Sequence, residues 1–360
     1  MSKHRGHEQH EIEDISDVVH DFSDLPDSIL HHILSFIPTT EAVKTSILST
    51  RWKNLWTFLP SIDIDDELLC AREVYDVTSF VNFVERVLLL WDASNMEKFR
   101  ISCHVLCNSS IIRSWISHAI MHNVQELDIC LVQGDPYVIP QSIFDSTSLV
   151  SLKIRMNWDI LLPSHVSFPC LKTLHLSFLW FLHDDFTEKI FPGCPALEEL
   201  VLFKCCFRNS KNTVISSSTL KNLTIHDLSR FQPYDDTSGC KIKIDAANLT
   251  YFEYIGFLSN EIIFNDTSSL NKSFIDIPNP GERLNKVACR AIDLLKQLQY
   301  VASLQFSNQI FKLYNLFVSM RDLCASCAAC TLVRQFNLVI DAYMHLELPQ
   351  DSDLEELSWL

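Results

Sequence analysis

The stretch "ALEELVLFKC" (Ala196–Cys205) holds Leu197, Leu200 and Leu202 at offsets 0, 3 and 5, an apolar-x-x-apolar-x-apolar template. One such hit means little in a leucine-rich chain. The template recurs at Met96-Phe99-Ile101, Val124-Leu127-Ile129, Leu149-Leu152-Ile154, Leu171-Leu174-Leu176, Leu220-Leu223-Ile225, Leu249-Phe252-Tyr254 and Val301-Leu304-Phe306. The first seven copies start 28, 25, 22, 26, 23 and 29 residues apart. The gap of 52 before the eighth is the length of two units, with Leu270 to Ile275 a degraded candidate between. A ninth can start at Val333, with Phe336 and Leu338. Eight copies in near-register are hard to obtain by chance, and a period of this length marks stacked units.

Period and template match the leucine-rich repeat, in which each unit supplies one short parallel strand and a returning segment. A unit buries its triad only against its neighbours, so stacking makes a continuous core whose ends need covers. The expected fold is an α/β solenoid, curved, with a parallel sheet on its concave face. "RSWISHAIMHN" spaces Trp115, Ile116, Ala119 and Ile120 for a helix on the convex side, whereas the Pro-rich "FPGCPA" reads as irregular. Alternation along each strand sends the residues between and after the triad to the concave face. These are Lys98, Arg100, Glu126, Asp128, Lys153, Arg155, His175, Glu199, Phe203, Thr224, His226, Tyr251 and Glu253. Most of such a face is solvated surface, because a few residues dominate an interface. The mixed patch Arg155, His175, Phe203, His226 and Tyr251, aromatic and imidazole groups beside one Arg, is the candidate substrate-binding set.

Upstream, "DLPDSILHHILSFIPTTEAVKTSILSTRWKNLW" (Asp24–Trp56) concentrates apolar residues in a segment too short to be a domain. Ile29, Leu30, Ile33, Leu34 and Ile37 form a helical stripe bounded by Pro26 and Pro38. Thr39 or Thr40 can cap a second helix with Ala42, Val43 and Ile47, and Ser49 or Thr50 a third with Trp52, Leu55, Trp56 and Leu59. So small a unit needs outside support, which points to a partner protein, with Ile33 and Leu55 expected to turn inward. A linker, "SIDIDDELLCAREVYDVTS", then leads to a helix with Phe80, Phe83, Val84, Val87, Leu88 and Trp91 on one face, read as the first cover of the solenoid. The organisation expected is a disordered tail (1–20), the helical unit (21–60), linker and capping helix (61–95), repeats (96–345) and an acidic tail (346–360).

The 360 residues carry 29 basic and 45 acidic side chains, a formal charge of −16, which argues against nucleic acid as a general partner. The 13 cysteines, odd in number and scattered, do not read as a disulfide framework. The polar N-terminus lacks the apolar core of a signal peptide, and no apolar run is long enough to span a membrane. The expected location is intracellular, nucleus or cytoplasm. The N-x-S/T sequons at Asn108, Asn222, Asn248, Asn265 and Asn271 then have no chemical consequence.

With these segments in view, "SDLPDSILHHILSFIPTTEAVKTSILSTRWKNLW" closely resembles the F-box of the large plant group of F-box proteins with leucine-rich repeats. The Leu25-Pro26 pair, the "ILSFIPTTEAVKTSILSTRW" core and the closing "LW" carry the likeness. "FVERVLLLWD", "EKFRISCHV", "VQELDI", "FPGCPALEELVLFKC" and "LLKQLQYVASLQFS" extend it from 21 to about 310. The resemblance implies an F-box that binds a Skp-type adaptor, and through it a cullin and a RING protein, with Leu25, Pro26, Leu30, Leu34, Val43 and Trp52 against the adaptor. It implies repeats that hold the protein substrate. Many members carry a further C-terminal module, the FBD, which the ending "HLELPQDSDLEELSWL" does not match in length.

Catalytic chemistry finds no foothold. Cys324, Cys327 and Cys330 lack the fourth ligand that zinc or an iron–sulfur cluster wants, and read as small residues of a packed helix. His4, His7 and His10 fit a His-rich tail, and neither His183-Asp184-Asp185 nor His31-His32 has a nucleophile or metal partner at useful spacing. There are only six glycines and no phosphate loop. No catalytic residue, metal or cofactor is therefore assigned. The expectation is the substrate-recognition subunit of a cullin–RING (SCF-type) ubiquitin ligase. A non-catalytic interaction scaffold and a ligand-dependent small-molecule receptor of the same architecture are the alternatives.

Overall fold

In a computed structural model of the chain the described residues are 25–66, 77–92, 96–104, 108–131, 138–158, 160, 162–181, 185–207, 212–227, 240–278 and 284–307. Both tails, the ninth repeat at Val333, Cys324, Cys327 and Cys330, and the His183-Asp184 pair lie outside them.

Two short helices, α1 (Asp27–Leu34) and α2 (Thr39–Lys44), begin directly after Pro26 and Pro38. Proline ends what precedes it and is tolerated where a helix starts, so the two rings set both breaks. The third segment is a 3₁₀ helix, Trp52–Phe58, not an α-helix. It is held without a side-chain cap. Instead Arg51 reaches back to the start of α1, with Nη2 and Nε 2.6 and 3.0 Å from Asp27 Oδ1 and a further bond to the Leu25 carbonyl.

The expected linker contains a strand, β1 (Ser61–Asp65), because its Ile62 and Ile64 alternate with polar residues and are buried on one side. Helix α3 (Val77–Leu90) returns from it to β2 (Lys98–Cys103) and packs on α4 (Ser109–Met121), with Phe80 edge-on to Trp115 at 5.9 Å. Thus α3 is the returning segment of a first unit and not the terminal cover. That cover is the helical unit itself. Thr39 Oγ1 accepts a hydrogen bond from the Asp63 amide at 2.8 Å, Thr57 O one from the Asp92 amide at 2.9 Å, and Leu59 O one from Trp91 Nε1 at 2.8 Å. An open strand edge is a template for unwanted pairing; the Thr39 bond lies on the edge of β1, and the other two tie the helical unit to the end of α3.

The chain continues through β3 (Glu126–Leu131), β4 (Ser151–Met156), β5 (Thr173–Ser177), β6 (Trp180–Phe181), α5 (Asp185–Gly193) and β7 (Glu199–Phe203). There follow β8 (Cys206–Phe207), β9 (Asn212–Ser216), β10 (Asn222–Asp227), β11 (Lys241–Asp245), β12 (Tyr251–Gly256), β13 (Glu261–Phe264), β14 (Lys272–Asp276), α6 (Leu284–Gln297) and β15 (Ser303–Phe306). One sheet of ten parallel strands runs β1-β2-β3-β4-β5-β7-β10-β12-β14-β15. Its register aligns the triads, so that Phe99, Leu127, Leu152, Leu174, Leu200, Leu223, Phe252, Ser273 and Leu304 follow one another across the strands. The degraded unit at Leu270–Ile275 is therefore a true repeat, β14, with Ser273 where its neighbours are apolar.

The returning segments differ from one another. Besides α3, α4, α5 and α6 there is a 3₁₀ turn at Gln141–Asp145, and β13, β11 and β9 form a second, three-stranded parallel sheet. Part of "FPGCPA", expected to be irregular, closes α5, with Pro192 in the last turn. Gly193 is required there, since a Cβ would lie 2.4 Å from the Val166 carbonyl oxygen.

Candidate interaction surfaces

The helical unit divides its apolar residues into an inner and an outer set. Leu30, Leu34 and Trp52 are 0%, 1% and 6% exposed and join the core that runs into the repeats, together with Leu55. Leu25 and Val43 are partly buried against that core, and Pro26 is exposed. Of the six residues named for the adaptor, the three most deeply buried are thus support and not surface. The periodic stripe is wider than one contact face, so its two edges go to different places. Ile33, expected inside, lies outside. The outer set is Ile29, Ile33, Ile37 and Phe36 on and just after α1, with Ile47, Leu48 and Phe58 from the following turns; Phe36, Ile47 and Leu48 are 73%, 88% and 64% exposed. Clustered apolar exposure of this kind marks a contact surface.

The second surface is the open face of the ten-stranded sheet. At its first strands charges pair with one another, Arg100 bridging Asp63 at 2.8 Å and Asp65 at 3.1 Å. Asp65, Asp66 and His104 converge within 4.8 Å, but the buried Asp66 already takes the His104 amide at 2.6 Å and its Nδ1 at 2.8 Å. Asp65 is thus held by Arg100 and Asp66 by His104.

Farther along, the structure brings part of the predicted patch together. The Phe203 ring lies 5.2 Å from His226, His226 Nε2 is 3.0 Å from Glu253 Oε1, and the Tyr251 hydroxyl donates to the other Glu253 oxygen. The His226 contact, followed by the Tyr251 hydroxyl, holds the Glu253 carboxyl below its ordinary range, while burial and Glu253 push Tyr251 up to about 12. His175 stands apart, bonded to Glu199 at 2.9 Å. Arg155 occupies the same register row as Phe203 with Ser177 between them.

Two residues of this face were not legible in the triad pattern. Phe178 and Lys204 follow the last residues of β5 and β7 with φ of 60° and 51°. Simple alternation would turn both side chains inward, but the left-handed backbone reverses them, and Leu179 and Cys205 fill the interior instead. Lys204 Nζ then lies 5.3 Å from the Phe178 ring centre and 5.2 Å from that of Phe203. Burial pushes the thiols of Cys194 and Cys205 to about 12, so neither is a nucleophile. No helix among the described residues is long and apolar enough to cross a membrane.

Comparison with known proteins agrees with this architecture. The F-box domain model matches residues 22–62, and a model described as the leucine-rich repeats of FBD-associated F-box protein At5g56370 matches residues 112–260. Three Arabidopsis thaliana proteins are similar to the chain. Putative F-box/FBD/LRR-repeat protein At3g59240 is 38% identical over 66% of this chain and 48% of its own length. Putative F-box protein At3g58860 is 30% identical over 82% of this chain and 64% of its own length. F-box/LRR-repeat protein At3g58900 is 34% identical over 67% of this chain and 74% of its own length. The chain thus spans about half of the first relative and just under two thirds of the second. An F-box seated on a leucine-rich-repeat sheet is a protein-interaction architecture, and neither matching model describes a catalytic family. The chain belongs to the plant F-box/LRR-repeat proteins of the FBD-associated group.

Proposed function

We propose that the chain is a substrate-recognition subunit of an SCF-type ubiquitin ligase. The outer apolar set of the F-box docks a Skp-type adaptor, and the open face of the repeat sheet holds a protein substrate. The observation that carries the reading is the division of the F-box, whose inner half is built into the repeat core while Ile29, Ile33, Phe36, Ile47, Leu48 and Phe58 remain uncovered. A unit that needed only to cap the solenoid would have no use for the second set. Catalysis lies in the partners. The chain's part is to hold a substrate lysine near a ubiquitin thioester, which raises its effective concentration without chemistry of its own.

A reconstituted ligase tests the proposal. With adaptor, cullin, RING protein and conjugating enzyme, lysate proteins that co-purify with the chain acquire ubiquitin. They fail to do so when Ile47→Glu and Leu48→Glu are introduced together. Ubiquitination unaffected by that pair would remove the F-box from the mechanism and favour a scaffold.

A further inference from the structure

The chain has a formal charge of −16, yet its sheet face carries cations that close no ion pair among the described residues. Lys153 and Arg155 on β4 and Lys204 after β7 form no ion pair among the described residues. The acids nearby are otherwise engaged or set aside: Glu199 is bonded to His175, Glu253 to His226 and Tyr251, and Asp128 is the register neighbour of Lys153 without closing a bridge to it. Among these cations stand aromatic rings. Phe178 meets Phe203 edge-on at 5.4 Å beneath Lys204.

Two consecutive units spend a left-handed residue to build this arrangement. Phe178 and Lys204 occupy equivalent places after their strands, and their amides continue the ladder to Phe203 O at 2.8 Å and His226 O at 2.7 Å. Non-glycine residues rarely adopt that region, and here the result is a ring and an ammonium group brought beside Phe203.

We infer that the ledge formed by Arg155, Phe178, Phe203 and Lys204 binds an extended, carboxylate-rich segment of the substrate protein that presents an aromatic or large aliphatic side chain. The unpaired cations set the sign of the partner, and the rings set its anchor. The inference rests on the reading of the sheet face as the substrate surface. It narrows that reading to the C-terminal ends of β4, β5 and β7, with His226 and Glu253 as its far border.

The test pans two random peptide libraries, one unmodified and one containing phosphoserine and phosphothreonine, on the full chain in complex with its adaptor, wild type against Arg155→Glu/Lys204→Glu. The wild-type complex should enrich peptides with several Asp or Glu residues around one aromatic or aliphatic position. A selected peptide should bind the charge-reversed variant and, separately, Phe203→Ala about tenfold more weakly. Enrichment without acidic bias, enrichment only of phosphorylated sequences, equal retention by the variant, or no enrichment would each overturn the inference. Adaptor binding and ubiquitination of lysate proteins are scored on the same samples. If both persist unchanged in the charge-reversed variant, the ledge is wrong and the ligase reading stands; if neither occurs with wild type, the ligase reading itself falls.

Discussion

Asp227 shows how much a single side chain can weigh in this fold. It ends β10 almost fully buried, with Tyr254 OH 3.2 Å from Oδ2, while Arg290 Nη1 donates to the carbonyls of Leu258 and Ser259, both 2.7 Å away. Burial, only partly offset by the Tyr254 bond, raises its pKa from 3.8 to about 7. The folded state therefore keeps a proton that the unfolded chain releases, so the contribution of Asp227 to stability is fully present below pH 3.8 and is lost as pH rises to about 7. The loss is on the order of 4 kcal/mol. Urea denaturation from pH 4.5 to 8 should show this decline in the wild type and a flatter profile in Asp227→Asn; parallel profiles would mean the carboxyl is already ionised in the folded protein. Gly193 acts through space alone. Gly193→Ala places a methyl group 2.4 Å from the Val166 carbonyl oxygen and should lower stability by roughly 1–3 kcal/mol in the same assay.

At the scale of elements, β14 is a strand with a defect. Ser273 occupies the triad position held by Phe252 and Leu304 in the neighbouring strands, fully buried and with no partner for its hydroxyl. Ser273→Ala removes an unsatisfied polar group and should stabilise the protein by about 1 kcal/mol, measured by the same denaturation. This strand was legible in the sequence only as a degraded repeat, because Ser273 breaks the one signal that marked the others. The remaining triads were legible because a one-sided, inward-facing strand leaves the same trace in every unit. β1 was not: "SIDIDD" shows its alternation through two isoleucines among acids that read as a linker. Nor were β9, β11 and β13, whose alternation, plainest in the "KIKID" of β11, falls in the returning segments, outside the triad template that marked the units. The sequence located the F-box but not its inner and outer halves, because a stripe five residues wide does not say which edge meets the repeats. The turned-out Phe178 and Lys204 depend on backbone dihedrals that no periodicity encodes.

At the scale of the whole molecule, the described residues share one continuous core with a covered end. Trp52, Leu55, Trp56 and Leu59 of the F-box and Ile62 and Ile64 of β1 belong to the same buried cluster as the repeats. A chain beginning at Ser61 should accordingly lose amide-exchange protection in β1 and β2 first and aggregate at concentrations where the full chain stays in solution. This continuity also fixes the direction of the sheet face relative to the outer apolar surface of the F-box, which the proposed function requires. The most direct test of the account is the mass of the chain co-expressed with a Skp-type adaptor, read by size-exclusion chromatography with light scattering. We predict a 1:1 complex that Ile47→Glu/Leu48→Glu abolishes while the variant monomer keeps its thermal transition, and that Arg155→Glu/Lys204→Glu leaves intact. A well-folded chain that remains monomeric beside the adaptor, or a complex indifferent to the Ile47/Leu48 pair, would contradict the assignment of the outer apolar surface and with it the proposed function.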